Sequence, residues 1–293
     1  MKNHDREAAS VNALAEAVVG DHRISPKNFR RLANYIFEYS GIKMPDTKTT
    51  MLEGRLRRRL RATGFTDFDS YCHYIFDEGG LATESVHLID AVTTNKTDFF
   101  REPNHFDYLT QKALPDLESR GVRRVRIWSS ACSIGAEPYT LAMVMAEYME
   151  RRSGMDYHIL ATDLSTDVLQ KARRGVYPAD MLEPVPRTMA ARYVMHARDK
   201  QRNEVRIAPA LRTHVGFARL NLMDDSYQVG EPMDVIFCRN VLIYFDKKTQ
   251  FNVLRRLCDC LGKGGYMFIG HSESITGLDL PLKQLANTVF RKV

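Results

Sequence analysis

"VIFCRNVLIYFD", residues 235–246, is mostly the apolar run of a buried strand, and Arg239 and Asn240 interrupt it. Two readings are open. In one, Arg239 snorkels out at a strand end and Asn240 starts a turn. In the other, the strand delivers two polar side chains to a ligand at the edge of a sheet. The flanking sequence supplies the context. "RVRIWSSA" (124–131), "YHILATD" (157–163) and "VGFARL" (215–220) precede the run, and "GYMFIGH" (265–271) follows it. Each reads as a strand, as does "DVIFCRN" (234–240) itself. Helical patterns separate several of them: one from Pro138, one over "STDVLQKARRG" and one over "KKTQFNVLRRLCDCL". Strands alternating with helices predict an α/β fold, a parallel sheet with helices on both faces. Residues 184–212 break the rhythm and predict a small inserted β-subdomain.

Ligands of an open parallel sheet bind outside the carboxyl ends of the strands. After the first strand comes "SSACSIGAEPYT" (129–140), a run of small residues with Gly135 to turn and Glu137 beside the helix start at Pro138. It is not the GxGxxG fingerprint and holds no GK[ST], so a pyrophosphate is not the obvious ligand. Asp163 ends the second strand, where an acid typically takes ribose hydroxyls; the plainer alternative is a helix cap. Asn221 and Asn240 follow the third and fourth strands, and an amide suits an adenine edge or a loop turn equally. A ribose site without a pyrophosphate loop points to S-adenosylmethionine (SAM). No Ser-His-Asp or Cys-His arrangement is required, His271 reads as a strand-end hydrogen-bonder, and Cys132 and Cys238 read as small packing residues.

The first part of the chain has another texture. Residues 1–24 read as a flexible lead-in and 25–92 as an all-helical domain, leaving 93–293 for the α/β domain. "SPKNFRRLANYIFEYSGI" (25–42) opens with Ser25 as cap and Pro26 at the first helical position, and Gly41 closes it. In "TTMLEGRLRRRLRATGF" (49–65), Leu52, Leu56 and Leu60 form one stripe, Arg57, Arg58 and Arg61 fall opposite, and Arg55 and Arg59 lie on the flanks. Further helices are expected near 67–77 and 81–93.

The 293 residues, 44% of them hydrophobic, allow one large domain or two modest ones, and the net charge of +6 suits an acidic partner. Apolar runs are too short for a membrane span or a signal peptide, which predicts a cytoplasmic protein without direct membrane insertion. Five scattered cysteines with no CxxC pair predict reduced thiols, and no metal site is expected.

"NKTDFFRE" (95–102), "WSSACSIGAEPYT", "ATDLSTDVLQKARRGVY", "FCRNVLIYFD" and "GHSE" (270–273) together closely resemble the CheR-type chemotaxis receptor methyltransferases. The resemblance implies a helical domain joined to a Rossmann-like domain with a small β-subdomain. It implies SAM as methyl donor, S-adenosylhomocysteine as product, and methyl esters formed on glutamate side chains of the cytoplasmic helices of chemoreceptors. Carried over residue by residue, it implies cofactor contacts from Asn95, Thr97, Arg101, Glu137, Asp163, Asn221, Leu222, Arg239 and Asn240. Tyr244 and Arg101 are then the catalytic pair. On this reading the Arg-Asn pair sits at the ligand edge of the sheet. The arginine helix becomes a substrate-binding surface, and the β-subdomain a place where some relatives hold a receptor C-terminal peptide. Where relatives often carry two acids before Pro138, this chain has Ala136-Glu137.

Two other classes compete. A nucleic-acid methyltransferase would also use SAM, but base-modifying members usually carry an Asn/Asp-Pro-Pro-aromatic motif where this chain reads "RNVLIYF", so no nucleic acid is expected. A non-catalytic SAM-binding regulator, or an enzyme acting on another acidic protein, would keep the pocket; the regulator need not keep Arg101 and Tyr244.

Overall fold

The computed structural model describes residues 23–293 apart from 151, 153 and 200. The lead-in expected over 1–24 therefore lies outside the described residues, except that Ile24 is buried and its N–H donates to the buried Glu53 carboxylate at 2.9 Å. The chain divides into two units between Thr93 and Thr94.

Among the described residues the first unit holds four α-helices: α1 (Pro26–Ser40), α2 (Thr49–Thr63), α3 (Phe68–Asp77) and α4 (Leu81–Val92). The caps read from sequence are in place. Ser25 Oγ accepts from Asn28 N–H, and Gly41 takes the left-handed conformation that closes α1. Leu52, Leu56 and Leu60 are buried, so the stripe on α2 faces inward. Each such leucine contributes about 1.5–3 kcal/mol relative to exposure.

The second unit opens with α5 (Asn104–Tyr108), which runs through a π-turn (Leu109–Ala113) into α6 (Leu114–Ser119). Its strands are β1 (Arg124–Ser129), β2 (Asp156–Asp163), β3 (Val176–Pro178), β4 (Val194–His196), β5 (Glu204–Ile207), β6 (Val215–Arg219), β7 (Met233–Cys238), β8 (Leu261–Ile269), β9 (Leu282–Ala286) and β10 (Val289–Lys292). Seven of them form one sheet in the order β6-β2-β1-β7-β8-β10-β9. Pairing is parallel from β6 to β8 and antiparallel from β8 to β9, so the sheet is mixed, not parallel throughout. From β1 the chain builds outward through β2 to β6, then crosses to β7 on the other side of β1. The switch point, where such sheets bind ligands, is thus between β1 and β7.

The helices α7 (Ala136–Glu150), α8 (Thr166–Arg174) and α11 (Lys247–Cys260) cover the sheet, with the shorter α9 (Arg187–Tyr193) and α10 (Pro209–Arg212) between. Two apolar clusters result, one centred on Ile127, Ile159 and Phe237, the other on Trp128, Ile236 and Leu254. The inserted β-subdomain is the three-stranded antiparallel sheet β3-β5-β4. It recruits Val176–Pro178, upstream of the 184–212 expected, because Tyr177 pairs with Val205 and needs a partner strand before the insert begins.

Candidate functional site

Small side chains let the turn after β1 knit into both neighbouring strands. Ser130 N–H donates to Phe237 O on β7 at 2.9 Å, and Cys132 N–H donates to Thr162 O on β2 at 2.8 Å. Trp128 Nε1–H donates to Thr162 Oγ1 at 2.9 Å, which in turn donates to Ser130 O at 3.1 Å. The turn then needs Gly135: with φ of 94°, a Cβ there would lie 2.9 Å from Ala172 Cβ.

Asp163, at the end of β2, grips that turn. Its Oδ2 accepts from Ser133 N–H at 2.8 Å and its Oδ1 from Ser165 N–H at 3.0 Å. Ser133 Oγ donates to Asn95 O at 2.8 Å, which draws the 95–102 segment to the same edge. Asp163 therefore both organises the loop and supports the start of α8. Asn221 accepts from Met223 N–H at 3.0 Å, a local turn contact past β6. Leu222 is buried, and its carbonyl accepts from Tyr227 Oη–H at 2.7 Å.

Arg239 departs from the snorkelling reading, whereas Asn240 keeps its turn. Strand β7 stops at Cys238, so neither residue belongs to it. Arg239 does not snorkel: its side chain is 2% exposed. Its Nε–H and Nη2–H donate to Glu102 Oε2 at 3.2 and 3.1 Å, its Nη1–H donates to Glu137 Oε2 at 3.2 Å, and Nη2 also donates to Arg101 O. The guanidinium lies over the rings of Phe106 and Phe237, 5.6 and 5.9 Å from their centroids. It is thus held by the protein's own groups. Asn240 turns the chain at φ 58°, as the turn reading had it. Its N–H donates to Glu273 Oε2 at 3.0 Å and its Nδ2 to Glu102 Oε1 at 3.2 Å.

Glu102 and Glu273 are the residues of this network that sequence reasoning missed, although both were in the quoted motifs, as the last letter of "NKTDFFRE" and of "GHSE". Glu273 Oε atoms accept from the N–H groups of Asn240, Leu242 and Gly270 at 2.6–3.0 Å. Gly270 must be glycine there, since a Cβ would lie 2.9 Å from the Asn240 backbone nitrogen. Four of the five non-glycine residues with positive φ among those described are Phe100, Glu102, Ser133 and Asn240, all in this network. Such backbone strain concentrates at functional sites.

The acids around Arg239 titrate in opposite directions. Burial pushes the Glu137 pKa up, with Arg239 and the Ser129 hydroxyl opposing; Ser129 Oγ–H donates to it at 2.7 Å. At Glu102 burial also opposes ionisation, but Arg239, Asn240 and His271 outweigh it and hold the carboxylate below its ordinary value. Burial pushes Glu273 up against its backbone donors. His105 is driven down to about 4, first by burial and then by Arg239, so it is neutral at physiological pH.

Arg101 and Tyr244 sit at the rim, both half-buried. Arg101 Nη1–H donates to Lys96 O at 3.0 Å, and Tyr244 ends a short 3₁₀ turn (Leu242–Tyr244) that follows Asn240. Thr97 is half-buried on the same segment as Asn95 and Arg101. The edge fits SAM on the structure's own terms: small residues and two obligatory glycines permit close backbone approach, and an acid and two amides line successive strand ends.

On α2 the five arginines separate. Arg55 donates to Val92 O and Thr93 O at the end of α4, and Arg59 is bidentate on Glu84 at 2.7 and 3.1 Å. Those two are engaged within their own unit, with Glu84 and the end of α4 as partners. Arg58 and Arg61 are exposed and Arg57 is half-buried.

Comparison with known proteins agrees with this geometry. The family model described as the all-alpha domain of CheR methyltransferase matches residues 27–93, and the one described as its SAM binding domain matches residues 95–290. The chain is 39% identical over 259 residues to a chemotaxis protein methyltransferase of Borreliella burgdorferi, covering 87% of this chain and 90% of that one. It is 38% identical over 267 residues to that of Escherichia coli, covering 91% of each. A third, chemotaxis protein methyltransferase 2 of Pseudomonas aeruginosa, is 34% identical over 266 residues, covering 90% of this chain and 92% of that one. With both parts matched in order and the strand-end site in place, the chain belongs to the CheR methyltransferase family.

Proposed function

We propose that the protein transfers a methyl group from SAM to glutamate side-chain carboxylates of bacterial chemoreceptors, forming methyl esters. The observation that carries this is the tandem match of helical and SAM-binding domains. Bound SAM supplies a methyl group on a sulfonium, already an excellent leaving group. A free glutamate has a pKa of about 4.3, so the acceptor is ionised at neutral pH and needs no general base. The protein's task is alignment and electrostatics. Asp163 receives ribose hydroxyls, Asn221 and Asn240 orient the base and its neighbourhood, and Asn95, Thr97, Glu137 and Leu222 complete the cofactor shell. Arg239 acts mainly through Glu102, Glu137 and the Arg101 carbonyl. Arg101 clamps a carboxylate at the rim, and Tyr244 hydrogen-bonds there without adding charge.

The remaining readings belong to the same proposal. Arg57, Arg58 and Arg61 form the receptor-facing patch. The β3-β5-β4 sheet is the candidate seat of a receptor C-terminal peptide, although the connecting loop "MHARDKQRNEVRI" lacks the glycines associated with tethering relatives. No described helix is long and apolar enough to cross a membrane, and we place the protein in the cytoplasm, beside its receptors' cytoplasmic helices. Incubation with labelled SAM and a panel of acidic-helix receptor fragments tests the reading. Base-labile label on glutamate is the expected result; label on RNA or DNA, or SAM binding without turnover on any fragment, overturns it.

A further inference from the structure

His105 is 2% exposed, and its Nδ1 has no hydrogen-bond partner. The tautomer follows from its other nitrogen. Thr288 Oγ1 lies 2.8 Å from His105 Nε2 and 2.7 Å from Asn287 O, which suits a hydroxyl that donates to the carbonyl and accepts from an Nε2–H. In that tautomer Nδ1 presents its lone pair to Glu102 Oε2, 3.5 Å away. Two acceptors confront each other in a buried place, an arrangement that costs free energy until something positive lies between them. The ring of His271 completes the group: its centroid is 4.9 Å from that of His105, and one ligand atom from each of Glu102, His105 and His271 lies within 4.8 Å of the others.

These features match what a zinc-class ion requires. Nitrogen and oxygen ligands at about 2.0–2.2 Å in tetrahedral array sit about 3.4 Å apart, close to the 3.5 Å between Nδ1 and Oε2. A ligating histidine normally donates its other N–H to a fixed acceptor, as His105 does to Thr288. His271 is exposed and gives an entry path. The cysteine pattern had offered no metal site, and this one uses none of the five.

We propose that Glu102, His105 and His271 form a binding site for a zinc-class divalent cation, and that its occupation slows methyl transfer. The inhibition follows from a shared atom: Glu102 Oε2 is where Arg239 places two hydrogen bonds. An ion on that oxygen repels the guanidinium and loosens its hold on Glu137 and on the Arg101 carbonyl. This half rests on the proposed function; the binding half does not.

The test is calorimetric titration of the full chain with zinc chloride, beside the exposed and fold-sparing variant His271→Ala, which keeps its backbone N–H on Glu102. The expected result is one site in the parent, weakened at least ~100-fold in the variant, since loss of even an outer-shell partner costs 10–100-fold. Cobalt substituted for zinc should show nitrogen and oxygen ligation with no thiolate band. Labelled methyl transfer should fall on adding zinc, recover with chelator, and in the variant be unaffected by zinc. Absence of binding, or equal binding by parent and variant, overturns the site. Binding with unchanged transfer overturns the inhibition.

Discussion

At the end of β7 one arginine is buried between two carboxylates, whereas along α2 five arginines divide between inward and outward duties. Arg239 has Glu102, Glu137 and two aromatic faces, and its position is over-determined. Arg55 and Arg59 are spent on a helix end and on Glu84. Arg58 and Arg61 reach solvent. The same side chain is a strut in one place and an available charge in another, and the difference lies in which acids the fold brings near. Spacing on a helix reports which face a charge occupies; it does not report whether a carboxylate from elsewhere in sequence has already claimed it.

The sharpest break of this comparison is Arg239→Met. It leaves two acids buried without their cation, a change that costs about 3–5 kcal/mol. Urea unfolding should show that loss, and SAM binding should weaken more than tenfold. The double variant Arg239→Met/Glu102→Gln should recover part of the stability, because one uncompensated charge has gone. Recovery of nothing would mean that packing on Phe106 and Phe237, and not charge, is the dominant role.

Next comes Arg59→Ala, which leaves the buried Glu84 with the Tyr71 hydroxyl, 3.1 Å away, but without its cation. A loss of about 1–3 kcal/mol is expected, with KM for receptor unchanged. A raised KM at full stability would return Arg59 to the substrate surface. Tyr244→Phe removes a hydroxyl from the rim and no charge. It should lower kcat about tenfold, near 1.4 kcal/mol of activation free energy, and leave SAM affinity alone; calorimetry beside steady-state rates separates these.

Reversal of Arg57, Arg58 and Arg61 to glutamate should raise KM for receptor and leave unfolding nearly unchanged. The wild-type KM should also climb with salt, as the screening length falls from about 10 Å at 0.1 M to about 3 Å at 1 M. A flat KM across the salt series, in parent and variant alike, would mark the patch as merely solvated. The smallest effect concerns Arg31 and Asp77 on the surface of the helical unit. The hydrogen bond from Arg31 holds Asp77 at about 2, helped by His73. A depressed carboxylate contributes stability that is present above its unfolded value, about 3.9, and is lost as pH falls through the folded one. The Tm difference between parent and Asp77→Asn should therefore shrink between about pH 4 and pH 2. A constant difference would show that the contact acts through packing.

Much of the fold was legible because hydrophobic periodicity is local. Ser25, Gly41 and the leucines of α2 declare themselves within a few residues, and so do β1, β2, β6 and β7. The β9–β10 hairpin did not. β9 has Lys283 and Gln284 exposed at the sheet edge, and its partner β10 is short, so neither shows a clear apolar run. That omission made a mixed sheet look parallel. At the site, Asp163 and Asn240 were legible as polar residues at strand ends. Glu102 and Glu273 were not, although both acids stood in plain view, because their meaning lies in partners that the fold brings in, most of them from far along the chain. For the same reason Arg239 was visible as an anomaly while its hold on Glu102 was not.

That hold also bears on how the domain is made. Glu102 and Arg239 are 137 positions apart, and Glu137 and Arg239 are 102 apart. During synthesis the acids leave the ribosome well before their cation, and the loop closure that unites them comes late and slowly. A nascent or truncated chain that stops short of β7 carries two carboxylates destined for burial with nothing to neutralise them. Arg239 thus makes the neutralisation of both acids wait on the second half of the domain.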